Sequence, residues 1–213
     1  MAAKLPANIS SAQVTRWMQE VTEVVILDYL LKQQDRIGNI DYLWRWHWVE
    51  QGQLHTSAAE PEGKGAVKLR VTVLNDNDAG VRSGYANYTA RTGMLDNWHH
   101  INQALYQKVQ LLAQDFASSG PIATAVRTRY RLSSREAEGI IKRGQEIAGQ
   151  LKARSEAGQL RFDLSLVDVL QNLSGGEGEN QRRVPDEYQR QPGENPGNGD
   201  HQAGEQHAQS GQH

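Results

Sequence analysis

The chain contains no cysteine, which excludes a disulfide scaffold and any zinc site built on thiolates. It has only two phenylalanines and six prolines in 213 residues. No run of about 18 apolar residues occurs, so no segment reads as a helix spanning a bilayer. Residues 1–10 lack the apolar stretch of a signal peptide and read as a flexible N-terminus. Strong charge of one sign is also lacking. The formal net charge is -2. A cytoplasmic location is expected, and bulk electrostatics gives no reason to expect nucleic acid as a partner.

Apolar residues are nearly absent from the last forty positions. From Ser174 to His213 the only aliphatic or aromatic side chains are Val184, Tyr188, Ala203 and Ala208. Such a stretch cannot bury enough surface to offset the entropy of ordering, so residues 174–213 read as a disordered polar tail. The tail carries three arginines against seven acids, a net of -4, leaving +2 on the body. The folded domain is therefore expected within residues 11–173.

What is present divides by periodicity. Residues 11–34 read as a long helix started by Ser10 or Ser11, with Val14, Trp17, Met18, Val21, Val24 and Val25 on its apolar stripe. Residues 41–49 switch to period two. One face carries Tyr42, Trp44, Trp46 and Trp48, and the other Leu43, Arg45, His47 and Val49. The tryptophan face is expected to pack beneath neighbouring helices, with a base-stacking platform as the alternative. Gln51-Gly52 marks a turn and residues 58–65 a loop, before a second strand over 66–74.

Residues 81–97 read as irregular. The stripe Trp98, Ile101, Leu105, Val109, Leu112 and Phe116 predicts a helix capped by Asp96 or Asn97. Gly120-Pro121 breaks it, and a short helix follows over 122–130. Ser133-Ser134-Arg135-Glu136 has the pattern of a capping box opening a helix to about Ser155. Leu166, Val169, Leu170 and Leu173 predict a last amphipathic segment over 165–173. The expected class is α+β, mostly α, with a small antiparallel β-ribbon.

Two polar clusters follow apolar elements. Asp35-Arg36-Ile37-Gly38-Asn39 follows the long helix, and Asn75-Asp76-Asn77-Asp78 follows the second strand. Carboxylates held rigidly at the margin of a core suit phosphoryl transfer. One orients the proton of a nucleophile, while an amide and another carboxylate offer hard oxygen donors to Mg²⁺. The bland alternatives are a solvated helix end for the first cluster and an Asn/Asp/Gly turn for the second. A calcium loop fits poorly. Starting at Asn75 places Gly80 correctly at position six, but position twelve is Ala86 rather than Glu. His99-His100 has no partner at metal-ligand spacing, and the basic residues Arg127, Arg129, Arg131, Arg135, Lys142 and Arg143 read as a solvated face diluted by Glu136, Glu138 and Glu146.

Leu27 to Ile40 resembles the catalytic loop of atypical kinases: the secretory-pathway casein-type, HipA-like and phosphatidylinositol kinases. Val73-Leu74-Asn75-Asp76-Asn77 is similar to the strand-Asp-Asn segment of the same families. The resemblance covers roughly residues 11–116 and implies a helical C-terminal kinase lobe using ATP and Mg²⁺. By position it implies Asp35 as the catalytic acid/base and Arg36 as support for the loop. Asn39 and Asp76 would be metal ligands, with Asp78 as an auxiliary one. The spacing departs from the family pattern. Asp35 to Asn39 is one residue shorter than usual, Asp35 to Asp76 is longer, and Asp78 stands where Gly is more familiar. The nucleotide-binding lobe that precedes this helix in kinases is not in the sequence. The chain alone is thus expected to be a poor kinase, completed by a second polypeptide or an upstream segment. The other reading is a non-catalytic helical interaction module, a kinase remnant with a disordered tail.

Overall fold

In the computed structural model, the structure describes residues 9–36, 40–75, 80–82 and 84–175. The tail after residue 175, and Asn39, Asp76 and Asp78 with it, lie outside the described residues.

The fold is α+β and mostly helical. Helix α1 spans Ser11–Leu31, followed by strands β1 (Ile40–Glu50), β2 (Gln53–Ser57) and β3 (Val67–Leu74). Helices α2 (Tyr88–Arg91), α3 (Gln103–Ala117), α4 (Pro121–Thr128), α5 (Ser134–Glu156) and α6 (Leu166–Gly175) complete it. The sheet is antiparallel throughout, in the order β2-β1-β3.

Strand β2 is missing from the sequence reading, as is the short helix α2, which falls in residues read as irregular. Gln51 and Gly52 both take positive φ, 52° and 75°, which is the backbone of the tight hairpin turn whose twist matches the flanking strands. The chain therefore reverses at once, and Gln53–Ser57 pairs with Trp46–Glu50.

Local chemistry sets the helix ends. Ser10 accepts from the Gln13 N–H at 3.1 Å. The capping box at α5 is complete: the Glu136 N–H donates to Ser133 Oγ, and the Ser133 N–H donates to the Glu136 carboxylate at 2.8 Å. Helix α3 starts later than its apolar stripe suggests. Asn102 is its cap, accepting from the N–H groups of Ala104 and Leu105, while Trp98 and Ile101 lie in the preceding extended segment. Pro121 opens α4, and Asp115 reaches from α3 to accept from the N–H groups of Ile122 and Ala123.

Three buried clusters form the core. The first joins Val25, Ile26 and Tyr29 of α1 to Val109 of α3 and Ile147, Ala148 and Leu151 of α5. The second packs Phe116 against Ala123, Val126, Ile140 and Ile141. The third sets Leu69 of the sheet on Ala12 of α1 and on Leu166 and Leu170 of α6.

Two faces turn out opposite to expectation. The sheet packs inward through Leu69, Val67, Val49 and Leu54, the face that also carries His47, and none of the three core clusters includes a side chain of the tryptophan face. The N-terminal half of α1 buries Gln13, Gln19, Glu20 and Thr22, and leaves Met18 38% and Val21 49% exposed. The reason is the open edge of β3. Gln13 donates from Nε2 to the Arg70 carbonyl and accepts from the Arg70 N–H, each at 2.8 Å. Glu20 accepts from the Thr72 N–H at 3.1 Å and from its hydroxyl at 2.8 Å. A buried strand edge must be paired, and here α1 pairs it with side chains. Gln19 adds a bond to the Leu164 carbonyl at 2.9 Å. Satisfying these backbone groups leaves Met18 and Val21 of the apolar stripe facing outward.

Candidate functional site

The candidate site begins where α1 stops. Lys32 takes the left-handed conformation, φ 58°, and ends the helix. The last four carbonyls of a helix have no partner within it. Here each finds one elsewhere. The Asp28 carbonyl accepts from the Gln33 N–H at 2.9 Å, and the Leu31 carbonyl from the Val81 N–H at 2.5 Å. The Tyr29 carbonyl accepts from Asn87 Nδ2 at 2.9 Å, and the Leu30 carbonyl from Arg143 Nε at 2.7 Å.

Arg143 was expected on a solvated face. It is instead half-buried beside the helix end, where its positive charge opposes the negative end of the α1 dipole. Burial lowers its pKa from the ordinary arginine value, with Glu146 and Tyr29 acting in the opposite direction. Burial is also the main cause raising the pKa of the Tyr29 hydroxyl, which donates to Glu146 at 3.4 Å.

The chain that leaves this node is held as tightly. Gln33 is 3% exposed, and its side-chain oxygen accepts from the N–H groups of Gln34 and Asp35 at 2.9 and 3.3 Å. Asp35 itself is exposed, on a loop whose backbone is pinned. Arg36 turns back and grips Asp28 with a fork: Nε lies 3.0 Å from Oδ2 and Nη2 lies 2.7 Å from Oδ1. Both side chains are largely buried. This is the rigid bidentate geometry that guanidinium and carboxylate prefer.

Asn75, the first residue of the second cluster, is brought to the same place by the sheet register. Ile40 opens β1 directly opposite Leu74, which closes β3. Ile40 and Leu74 therefore lie together at one end of the sheet. Two described contacts span the gap: Arg36 Nη1 donates to the Asn75 carbonyl at 3.5 Å, and Asn75 Nδ2 donates to the Asp41 carboxylate. Val81 in turn is held on Leu31. Val81 has φ 69°, a conformation that a β-branched side chain adopts only under strain.

Of the residues singled out in the sequence, the structure brings Arg36 to Asn75 and places Asp35 beside that contact. Asn39, Asp76 and Asp78 are outside the described residues. Arg36 acts by positioning, and its buried partner Asp28 was missed. The clue was available, since an acid inside an apolar helix must be paired, and the first arginine beyond the helix lies eight residues on. The partners Asn87 and Arg143 carry no comparable clue, because they arrive from 58 and 113 residues away.

Among the described residues no group of three histidine, aspartate or glutamate side chains could hold a metal ion, and no helix is long and apolar enough to cross a membrane. His100 lies 2.9 Å from Asp163, an exposed pair that joins the start of α3 to the segment before α6. No protein-family model, curated protein or solved structure matches this chain.

Proposed function

We propose that this chain is the helical lobe of an atypical kinase-like phosphotransferase, with ATP·Mg²⁺ as its cofactor. The observation that carries the reading is the Arg36 fork. It ties the loop bearing Asp35 to Asp28 of α1 on one side and to the end of β3 on the other. Asp35, Arg36 and Asn75 thereby share one margin of the core, an arrangement that supports phosphoryl transfer as the reading.

In this reading Asp35 orients the acceptor hydroxyl and takes its proton. Arg36 fixes that loop. Asn39 and Asp76, with Asp78 as an auxiliary, offer amide and carboxylate oxygens. That hard donor set fits Mg²⁺, and it flanks the paired residues Ile40 and Leu74. The bound metal would neutralise phosphate charge. A second polypeptide or an upstream segment would complete the nucleotide site.

The test is Mg²⁺-dependent ATP binding by the full chain, followed as thermal stabilisation. At about 100-fold excess over Kd a ligand adds roughly 2.7 kcal/mol, or about 5–10 °C for a domain of this size. Asp76→Ala should abolish the shift. Phosphotransfer, measured with any complementing lobe present, should fall in Asp35→Ala. A shift unaffected by Mg²⁺ and by Asp76→Ala, with activity unchanged in Asp35→Ala, would sink the reading.

The exposed Met18 and Val21 favour a second reading, a non-catalytic interaction module docked through α1. It is distinguished by the absence of any ATP·Mg²⁺ response.

A further inference from the structure

We propose that the outer face of the three-stranded sheet binds single-stranded nucleic acid. The inference is independent of phosphotransfer. It rests on a surface remote in function from the Asp35 loop.

Alternation along β1 puts Tyr42, Trp44, Trp46 and Trp48 in one row on one face, at a repeat of about 6.6–6.8 Å. The register sets Arg70 opposite Trp44, Lys68 opposite Trp46 and His55 opposite Trp48. The Lys68 ammonium lies over the Trp46 ring, 5.7 Å from its centroid. The Arg70 guanidinium lies 4.1 Å from the centroid of Tyr42. His55 stacks on Trp48 at 5.3 Å, with an interplanar angle of 19°. None of these side chains belongs to a buried core cluster.

The electrostatics of the face are one-sided. Its strand residues include a single carboxylate, Glu50, and Lys64 neutralises it at 2.5 Å. Glu20, which reaches the adjoining edge at Thr72, is paired with Arg16 at 2.8 Å. Lys68 and Arg70 thus remain as net positive charge among π-faces. The near-zero charge of the whole chain is not the relevant quantity, because a bound strand senses the face it lies on.

A row of π-faces flanked by cations is the chemistry that holds unpaired bases and their phosphates without base-specific readout. An apolar helix seated here would bury two cations at its centre, at high cost. A polyanion with planar bases meets a complementary group at each position. In the free protein the two cations rest on the rings. Phosphates draw Lys68 and Arg70 outward, and bases take their places on Trp46 and Tyr42.

The test uses the full chain and fluorescein-labelled dT12 and U12, followed by anisotropy across a salt series. Saturable binding that weakens with salt is expected. Trp44→Leu and Trp46→Leu should each weaken it about tenfold. The double variant Lys68→Gln/Arg70→Gln should weaken it and flatten the salt dependence by roughly 0.7 log units per lost phosphate contact. Lys152→Gln, on α5, should bind as the parent does. Quenching of the parent's tryptophan emission by the oligonucleotide, but not by inorganic polyphosphate, provides a readout that needs no variant. Any of three results overturns the proposal: no saturable binding, no quenching, or full affinity in folded tryptophan variants when the cation variant is weakened. Binding to phosphatidylserine vesicles in place of oligonucleotides also overturns it, and assigns the face to a membrane surface.

Discussion

Asp28 and Arg36 form a forked ion pair across the end of α1, with side chains 7% and 11% exposed. Removing one partner of a buried pair leaves an uncompensated charge, which costs about 3–5 kcal/mol. Asp28→Ala and Arg36→Met should each lower stability to urea by roughly that amount. Asp28→Ala/Arg36→Met should cost clearly less than the two losses summed. Additive losses in that double-mutant cycle would show that the two side chains do not interact.

Gln13 and the backbone of Arg70 form a second dependence. Gln13→Leu keeps the volume but strips partners from a buried N–H and carbonyl of β3. A loss of about 1–3 kcal/mol is expected, together with faster exchange of the Arg70 amide. Unchanged exchange would mean that something else protects the edge.

Gly144 lets α5 approach α3. A Cβ at this position would lie 2.6 Å from Phe116 Cδ2 and 3.3 Å from Leu30 Cδ1. Ala has the better helix propensity by about 1 kcal/mol, yet Gly144→Ala should destabilise by about 1–3 kcal/mol through overpacking. Phe116→Leu in the same chain should recover part of the loss. A stabilised Gly144→Ala would show that the helices separate freely.

His47 gives a pH dependence. It is 2% exposed, and burial lowers its pKa below the ordinary histidine value. Nearby Arg16 acts in the same direction, and the bond to the Arg45 carbonyl opposes both. The unfolded chain thus takes up a proton near pH 6.5 while the folded chain resists it. The contribution is present above that pH and is lost as pH falls toward the folded pKa. Stability should drop between pH 7 and 5, less so in His47→Gln, and the His47 ring resonances should titrate last. A His47 ring that titrates with the exposed histidines would contradict this account.

Much of the fold could be read from local chemistry. Ser133 with Glu136, Gly120 with Pro121, and the alternation on either side of Trp46 each carry their structural meaning within a few residues. What was misread depended on distant partners. Val14, Trp17, Met18 and Val21 form a convincing apolar stripe, but the edge of β3 claims Gln13 and Glu20 beside it, and no periodicity reports that demand. Strand β2 has one leucine in five residues, so only its pairing with β1 identifies it. Asp35 and Arg36 were legible as a polar cluster after a buried helix. The fork to Asp28 and the contact with Asn75 were not, because they belong to the returning chain.

The bonds at α1 also impose an order in time. This helix is made before its partners, and its side chains and carbonyls wait for groups 58, 113 and 145 residues downstream. A nascent chain that has emerged only as far as β3 holds a helix whose end cannot yet be closed. Leu164 supplies the last of these partners. Native structure at α1 is therefore completed by chain made well over a hundred residues later, and chains stalled before residue 143 should present α1 unsealed to the cell's quality-control machinery.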